Sequence, residues 1–316
     1  MSNNINFQEL AEYFKSVQLN IVTALEELDG KKFLKDDWIK DSTQNLIGNG
    51  STQILENGNI FERAGVGFSC VSGQSLPKSA SLERQHLSDC KFNAMGVSLV
   101  LHPFNPYIPT IHFNIRFLVV NTPEKDIWWF GGGMDLTPYY GFEEDCIHFH
   151  QICKNALDPF GNHLYPLFKK QCDNYFYLKH RNEARGIGGI FYDNFDSLGF
   201  EKSLDVTKSV ANSFLKAYLP IVEKRKSHSF NEQNREFQAF RRGRYVEFNL
   251  IFDRGTLFGL QSGGRTESIL LSMPPKVQWG YNYQPQINTE EEKLYTDFLP
   301  AKDWLNKDGL NLDKDI

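Results

Sequence analysis

The sequence predicts an α+β fold in a single domain that spans residues 1–316. Strand-like segments cluster together, and helical segments lie between the clusters without a regular βαβ alternation. No repeat, long linker or break in composition divides the chain. The hydrophobic fraction of 41% and the charged fraction of 23% are ordinary for a globular protein with a substantial core.

The first part of the chain predicts one helix followed by strands. Apolar residues at helical spacing indicate an amphipathic helix, and Gly30 follows at its C-cap position. Residues Asp41–Gly58 are polar and rich in Asn, Gly and Ser, which predicts a loop or hairpin. Short β-like runs extend from Phe61 to Arg116, interrupted by a polar stretch, Gly73–Asp89, that we expect to be mobile. The apolar stripe of the helix consists of Leu10, Phe14, Val17, Ile21, Leu25 and Leu28.

The strand Thr110–Phe117 is the most informative segment. Because strand side chains alternate in direction, its two faces differ completely in character. A connection containing Pro103, Pro106 and Pro109 precedes it, since prolines at this density cannot join a sheet ladder. One face carries Thr110, His112, Asn114 and Arg116, and the other carries Ile111, Phe113, Ile115 and Phe117.

Three helices are predicted after the sheet segments. In the second, residues at i+4 spacing form a stripe that places His180 on an apolar face. A polar linker, Arg225–Gln233, follows the third helix. The helices cover Cys146–Leu157, about Tyr165–Arg181 and about Leu204–Lys224, and the stripe consists of Phe168, Cys172, Phe176 and His180.

The C-terminal part predicts a hairpin and a last helix. Residues Tyr245–Phe252 are interpreted as a strand, Asp253–Gly255 as a turn, and the following residues as a second strand. Thr289 followed by Glu292 is typical of a capping box that opens a helix.

Bulk charge and targeting signals exclude several classes of partner. The net charge of −5 and the pI near 5.9 argue against nucleic acid or an anionic membrane. No run has the length of a membrane span, and the first ten residues lack signal or transit character. Five cysteines without CxxC or zinc-ribbon spacing indicate reduced thiols. We expect a cytoplasmic protein without nucleic-acid or integral-membrane association.

Several polar residues are candidates for chemistry. Arg116 supplies a fork for a carboxylate, and His112 exchanges protons near neutral pH. Asp135, directly after three glycines, is a base or hydrogen-bond anchor on one interpretation and a turn cap on the other. In Gly263-Gly264-Arg265, bare backbone N–H groups lie beside a guanidinium, which suits a carboxylate. These patterns predict a pocket lined by arginine and glycine for a carboxylated ligand.

No nucleotide, nucleophile or metal motif accompanies these residues. The chain lacks GxGxxG, a Walker sequence, GxSxG and HExxH. His148 and His150 are two residues apart in a predicted helix, so they cannot chelate one ion together. The spacing of His102, His112, His150 and His180 does not by itself indicate a metal site, and structural or acid–base roles are more typical of such histidines.

At these residues the sequence resembles the oxygen-dependent coproporphyrinogen III oxidases of the bacterial cytoplasmic type. The resemblance implies that two propionates of coproporphyrinogen III become vinyl groups, giving protoporphyrinogen IX in haem synthesis. It also implies O₂ as co-substrate, no organic cofactor, and a large antiparallel sheet flanked by helices on both faces. A homodimer with contacts in residues 245–280 is expected as well. The matching segments are Ser98–Phe117, Trp128–His150, Lys179–Asp193 and Arg241–Pro275.

The resemblance also suggests roles for individual residues. It implies that His112 is the proton donor, and Asp135 is our candidate for holding or deprotonating a pyrrole N–H. A divalent metal held by His102, His112, His150 and His180 is a further, open expectation from the family. Two alternatives remain at this point: a non-haem metal oxygenase acting on another aromatic acid, and a tetrapyrrole carrier without turnover. The implied substrate contacts are Ser98, Asn114, Ile115, Arg116, Gly263, Gly264 and Arg265.

Overall fold

A seven-stranded antiparallel sheet forms the centre of the protein in the computed structural model, which describes residues 6–41, 46–77 and 84–306. Its order, β1-β2-β3-β4-β5-β6-β9, follows the chain except where β7 and β8 form a separate two-stranded hairpin. Every neighbouring pair in the large sheet is antiparallel. The strands are β1 Leu34–Lys40, β2 Leu46–Glu56, β3 Phe61–Gly73, β4 Lys91–Pro103, β5 Thr110–Asn121, β6 Asp126–Thr137, β7 Tyr177–Leu178, β8 Glu183–Ala184 and β9 Gly188–Phe195.

Eight α-helices surround this sheet in the described part of the chain, which confirms the predicted α+β fold. None of the described helices is both long enough and apolar enough to cross a membrane. The helices are α1 Phe7–Asp29, α2 Glu143–Leu157, α3 Leu164–Tyr175, α4 Phe200–Arg225, α5 Glu232–Ile251, α6 Arg254–Gln261, α7 Thr266–Ile269 and α8 Glu290–Lys293.

The two faces of the sheet differ because side chains alternate along each strand. On one face, Leu99, Phe113 and Met134 are fully buried in a core that also receives α1, α2 and α4. Phe214 of α4, for example, packs against the ring of Phe113 with ring centroids 5.0 Å apart. The opposite face carries the polar residues of β5 and lies beneath α5, α6 and α7. The predicted separation of apolar and polar residues in β5 is therefore confirmed.

Most predicted helices are confirmed, with boundaries moved by a few residues. Helix α1 ends at Gly30, whose φ of 80° is the left-handed conformation expected of a C-cap glycine. Helices α2 and α4 lie where helices were predicted, over Cys146–Leu157 and about Leu204–Lys224. At α8 the Thr289 side chain accepts from the Glu292 N–H, as a capping box requires. The Glu292 carboxylate, however, accepts from the Asn288 N–H.

The predicted hairpin around residues 245–260 is wrong. Residues Tyr245–Ile251 end the 20-residue helix α5, and Asp253 caps α6 by accepting from the N–H of Thr256. Read in isolation, the aromatic and β-branched residues of this segment favour a strand. The full helix instead buries Phe237, Phe240, Tyr245 and Phe248 at intervals of three to five residues. Its start signal, the Asn231 cap, lies fourteen positions before Tyr245 and outside the short window.

For Asp41–Gly58 the structure bears out the hairpin alternative and not the loop, since most of the segment is strand β2, which pairs antiparallel with β1. Gly50 makes room there for the Trp38 ring, which lies 2.2 Å from where a Cβ would be. The helical stripe that was predicted to include His180 is corrected. Helix α3 ends at Tyr175, so His180 lies beyond the helix, and its side chain is 37% exposed. Residues 42–45 and 78–83, which belong to the predicted loop and the predicted mobile stretch, lie outside the described residues.

A buried carboxylate joins the end of α1 to the sheet. Asp29 is 3% exposed, and its side chain accepts from the backbone N–H groups of Asn59, Ile60 and Phe61, each at 2.9 Å. These bonds hold the turn between β2 and β3 against the helix. Charge-assisted bonds of this kind are among the stronger hydrogen bonds in proteins.

We expect Asp29→Ala to lower the free energy of unfolding by on the order of 2 kcal/mol, because it leaves one buried and two partly buried N–H groups without their acceptor. Urea denaturation followed by circular dichroism measures the change. The control is Glu27→Ala, which removes an exposed carboxylate from the same helix and should change stability by less than about 0.5 kcal/mol. Equal effects of the two substitutions would show that the Asp29 bonds do not stabilise the fold.

Candidate active site

A cavity of about 370 Å³ lies between the polar face of the sheet and helices α5, α6 and α7. Strand register brings its polar side chains together: Ser98 on β4 pairs with Asn114 on β5, and His112 pairs with Asp135 on β6. Since paired residues in adjacent strands point to the same face, these side chains converge on one side of the sheet. Most of the sequence-predicted contacts line this cavity: Ser98, His112, Asn114, Arg116, Gly264 and Arg265.

Two of the implied contacts have a different placement. The Ile115 side chain points to the opposite face and is fully buried in the core, so only its main chain can face the cavity. Gly263 has a φ of 68°, and its carbonyl accepts from Lys40 Nζ at 2.6 Å. This bond joins the turn before α7 to strand β1 across the cavity.

A chain of hydrogen bonds runs along the polar face of β5. Arg116 Nη1 donates to Asn114 Oδ1 at 3.1 Å, and Asn114 Nδ2 lies 3.1 Å from His112 Nε2. His112 Nδ1 lies 2.8 Å from Asp135 Oδ1, and Arg185 Nη2 donates to Asp135 Oδ2 at 2.7 Å. Because Asn114 Oδ1 is the acceptor from Arg116, its NH₂ group donates to His112. This network assigns the proton of His112 to Nδ1.

Asp135 is a buried, ionised carboxylate. Burial alone raises the pKa of this carboxyl, but the Arg185 charge and the His112 hydrogen bond bring it below its usual value. Asp135 and Arg185 are each only 2% exposed, and aromatic rings of Phe176, Tyr245 and Phe248 surround the guanidinium at 4.2–4.7 Å. Asp135 therefore does not cap the turn after β6, and its two oxygens orient His112 and Arg185.

The arginines of the cavity are held by acidic residues. Arg116 and Arg254 bind opposite oxygens of Asp193 at 2.9 and 3.0 Å. Arg265 binds Asp36 at 2.5 Å. Each of these guanidinium groups remains a quarter to a third exposed, so each can still bind an incoming anion.

One of the three glycines before Asp135 makes room for an arginine. A Cβ on Gly131 would lie 2.5 Å from Nε of Arg116, which pairs with it across the strands. Gly131 thus lets Arg116 lie flat over β6, and the Arg116 guanidinium faces the cavity. Besides allowing a ligand to approach the backbone closely, the glycines therefore position the Arg116 side chain.

Comparison with protein families identifies the chain. A model described as coproporphyrinogen III oxidase matches residues 9–304. The chain belongs to the coproporphyrinogen III oxidase family. The match confirms the resemblance seen in the sequence and extends over nearly the whole chain. It supports an oxidoreductase of haem biosynthesis whose family substrate is coproporphyrinogen III.

The four histidines that the resemblance suggested as metal ligands are not grouped. His102 is buried between Thr110 Oγ1 at 3.2 Å and the Ser272 carbonyl at 2.8 Å. Burial brings the pKa of His102 far below its ordinary value and that of His150 to about 3, so both are neutral structural groups. Among the described residues, no three His, Cys, Asp or Glu side chains are arranged to hold a metal ion. The four histidines therefore do not form a binding site for a metal ion in the described part of the chain.

Three charged residues of the site were not singled out from the sequence. Arg185 and Asp193 lie within the matching segment Lys179–Asp193, and Arg254 lies within the matching segment Arg241–Pro275. Each lines the cavity. The signal in the sequence that could have indicated them is the density of charged residues among glycines and aromatic residues. The partners of Arg185 and Arg254, however, are 50 or more residues away along the chain. Only the tertiary structure pairs them.

His180, the most exposed of the four histidines, is one of three residues near the surface that hydrogen-bond to the Glu247 carboxylate. The Glu247 carboxylate accepts from His180 at 2.6 Å, from Arg181 at 2.7 and 2.9 Å, and from Trp279 at 2.8 Å. Partial burial raises the pKa of Glu247, but these donors outweigh it and bring the pKa to about 2.

We expect Glu247 to stabilise the fold above about pH 4.5 and to lose this contribution as the pH falls towards 2. Glu247→Gln should therefore lower the free energy of unfolding near neutral pH by on the order of 1 kcal/mol, since solvent screens this partly buried group, and the difference from wild type should shrink on acidification. Urea titrations at several pH values measure it. Glu236→Gln, an exposed carboxylate on the same helix, is the control. A difference that grows in acid contradicts the assignment.

Proposed function

We propose that this chain converts coproporphyrinogen III to protoporphyrinogen IX, with O₂ as electron acceptor, in the cytoplasmic synthesis of haem. In each of two arms a propionate loses CO₂ and two electrons and becomes a vinyl group. O₂ takes the two electrons and two protons, one from the propionate β-carbon and one from the protein, and leaves as hydrogen peroxide. The family match over residues 9–304 is the observation that carries this proposal.

The cavity supports a ligand with several carboxylates. Arg116, Arg254 and Arg265 present partly exposed guanidinium groups. The sequence expectation of bare N–H groups at Gly263 and Gly264 is wrong, because these N–H groups donate to the carbonyls of Leu260 and Gly259. A propionate that binds between Arg116 and Arg254 meets two positive charges that Asp193 only partly compensates. We assign Ser98, Asn114, the main chain at Ile115, and the Gly263–Arg265 turn to the same binding surface.

His112 is the group that we assign to proton delivery. With Nδ1–H held by ionised Asp135, its Nε2 faces Asn114 and can take up a proton if that hydrogen bond opens. An imidazolium at this point is stabilised by Asp135, so a proton gained at Nε2 can be passed to the forming peroxide.

Asp135 acts in this proposal through His112. Contact with a pyrrole N–H, the role first suggested by the sequence, requires that an Asp135 oxygen leave His112 or Arg185. Both oxygens are hydrogen-bonded, and the low pKa makes this carboxylate a weak base. We therefore propose that Asp135 holds His112 beside the ring nitrogen and stabilises the charge that develops there.

The reaction needs no electron donor besides its substrate, because a porphyrinogen is electron-rich. We therefore propose that the reaction uses no organic cofactor. We also propose a homodimer with contacts in residues 245–280, where Leu250, Ile251 and Leu260 are about half exposed. Apolar side chains clustered on a surface are typical of subunit contacts.

Turnover of coproporphyrinogen III tests the proposed function directly. Purified protein is incubated with the reduced substrate in air, under argon, and in air with chelator. The products are then oxidised to porphyrins, separated by chromatography and detected by their fluorescence. We expect the dicarboxylic product in air with or without chelator. Equal turnover under argon without another acceptor would overturn the proposal. A need for added iron and reductant would point to a metal oxygenase, and tight binding without O₂ uptake to a carrier.

We expect Asp135→Asn to lower kcat by roughly 10²- to 10⁴-fold, while KM for the tetrapyrrole changes little. The single amide oxygen can accept from Arg185 or from His112 but not from both as the carboxylate does, so the imidazole loses its orientation. Steady-state fluorimetry measures both constants. The control is Asp196→Asn, which alters an aspartate paired with Arg84. Full turnover of Asp135→Asn would remove Asp135 from the mechanism.

Arg265→Ala should raise KM by about tenfold to a hundredfold and alter kcat less, because it removes a charge-assisted bond to an acid arm. Arg181→Ala, which removes a surface arginine paired with Glu247, is the matched control and should leave KM unchanged. An Arg265→Ala enzyme with normal KM and lost turnover would contradict the binding role.

A further inference from the structure

A second cavity, of about 470 Å³, lies behind the candidate active site. It is enclosed by the end of α3, the β7–β8 hairpin and the C-terminal segment 295–301. Its rim is exposed at Arg181, Asn182 and Ala301. Its floor is buried and largely apolar, with Cys172 fully buried and Phe176, Ile187 and Leu299 at most 5% exposed. The cavity thus narrows from a polar surface to an apolar end.

Phe176 lines both cavities. Its ring centroid lies 5.6 Å from that of His112, in an edge-to-face contact, and its face lies 4.2 Å from the Arg185 guanidinium. Phe176 is therefore the residue that connects the lining of the second cavity with the imidazole that we assign to proton delivery.

The charged groups around the second cavity are paired within the protein. Asp173 binds Lys169 at 2.5 Å, and Glu183 binds Arg241 at 2.7 Å. Arg181 binds Glu247. The floor thus offers an ionic ligand little free charge, and a small neutral molecule meets mostly carbon and sulfur.

Access to the active site differs for the two substrates. A flat macrocycle bound against the polar face of the sheet covers the first cavity and blocks that path for anything arriving later. O₂ is small and apolar, and it partitions readily into buried apolar cavities. The second cavity has only Phe176 in common with the lining of the first, and Phe176 contacts His112.

We propose that the second cavity is the path by which O₂ reaches the bound tetrapyrrole, with the Phe176 ring as its inner gate. This inference rests on the proposed use of O₂ by the chain. Rotation of the ring about its side-chain bonds, which requires small adjustments of its neighbours Tyr175, Phe191 and Phe248, opens the floor towards His112. The path is separate from the cavity that binds the propionates.

Substitution of rim residues tests the path without touching the active site. Ala301→Trp and Ala184→Trp place a large ring in the second cavity, and neither residue contacts the His112–Asp135 pair. With an oxygen electrode we expect KM for O₂ to rise roughly threefold or more, because encounter becomes limiting. The kcat at saturating O₂ and KM for coproporphyrinogen III should stay unchanged. Lys170→Trp on the exposed side of α3 is the bulky control.

Xenon provides an independent measurement on the unaltered protein. Crystals of the wild-type protein under xenon pressure should show a xenon atom on the floor beside Phe176, since xenon occupies dry apolar cavities. A wild-type KM for O₂ in both variants, or a floor without xenon, overturns the path while the proposed function stands. A wild-type protein that consumes no O₂ with the reduced substrate overturns the proposed function, and the path with it.

Discussion

The two-residue alternation of side chains in β4, β5 and β6 is the constraint on which the protein depends. The three strands are long and in continuous antiparallel register, so the face to which one side chain points fixes the face of every other side chain in the three strands. A shift of one residue would move His112 and Arg116 into the core and expose Phe113. The apolar core therefore fixes the geometry of the site, and the residues that bury the sheet also orient those that face the cavity.

Buried charge is the second organising feature. Asp135 pairs with Arg185 at the candidate site, and Glu62 of β3 pairs with Arg242 of α5 at 2.6 Å, and none of the four side chains is more than 7% exposed. Burial of an ion is costly unless its partner and its hydrogen bonds are complete. Both pairs join the sheet to another segment, so the loss of one member leaves the other unpaired at the point where these segments meet. Such pairs hold the site rigid before any ligand arrives.

The partly exposed arginines show the complementary arrangement. Asp193 holds Arg116 and Arg254 in place, while Asp36 holds Arg265 from strand β1. Each acid fixes a long, flexible side chain and so lowers the entropy lost when an anion binds. The acids also reduce the net charge of the empty cavity. Binding of a polycarboxylate then depends on geometry as well as on attraction.

The sequence by itself determined the α+β class, the polar strand β5 and the family, because period-two alternation and long local segments are encoded within one stretch of chain. It also indicated Ser98, His112, Arg116 and Arg265 as neighbours of one ligand, and the cavity contains all four. It misjudged residues 245–260, where a short window hides a helix whose start lies far upstream. Only the tertiary structure decided the partners of Asp135, the separation of the four histidines, and the second cavity behind Phe176. Each of these depends on contacts between segments that are distant along the chain, and no local pattern records which distant segment will meet which.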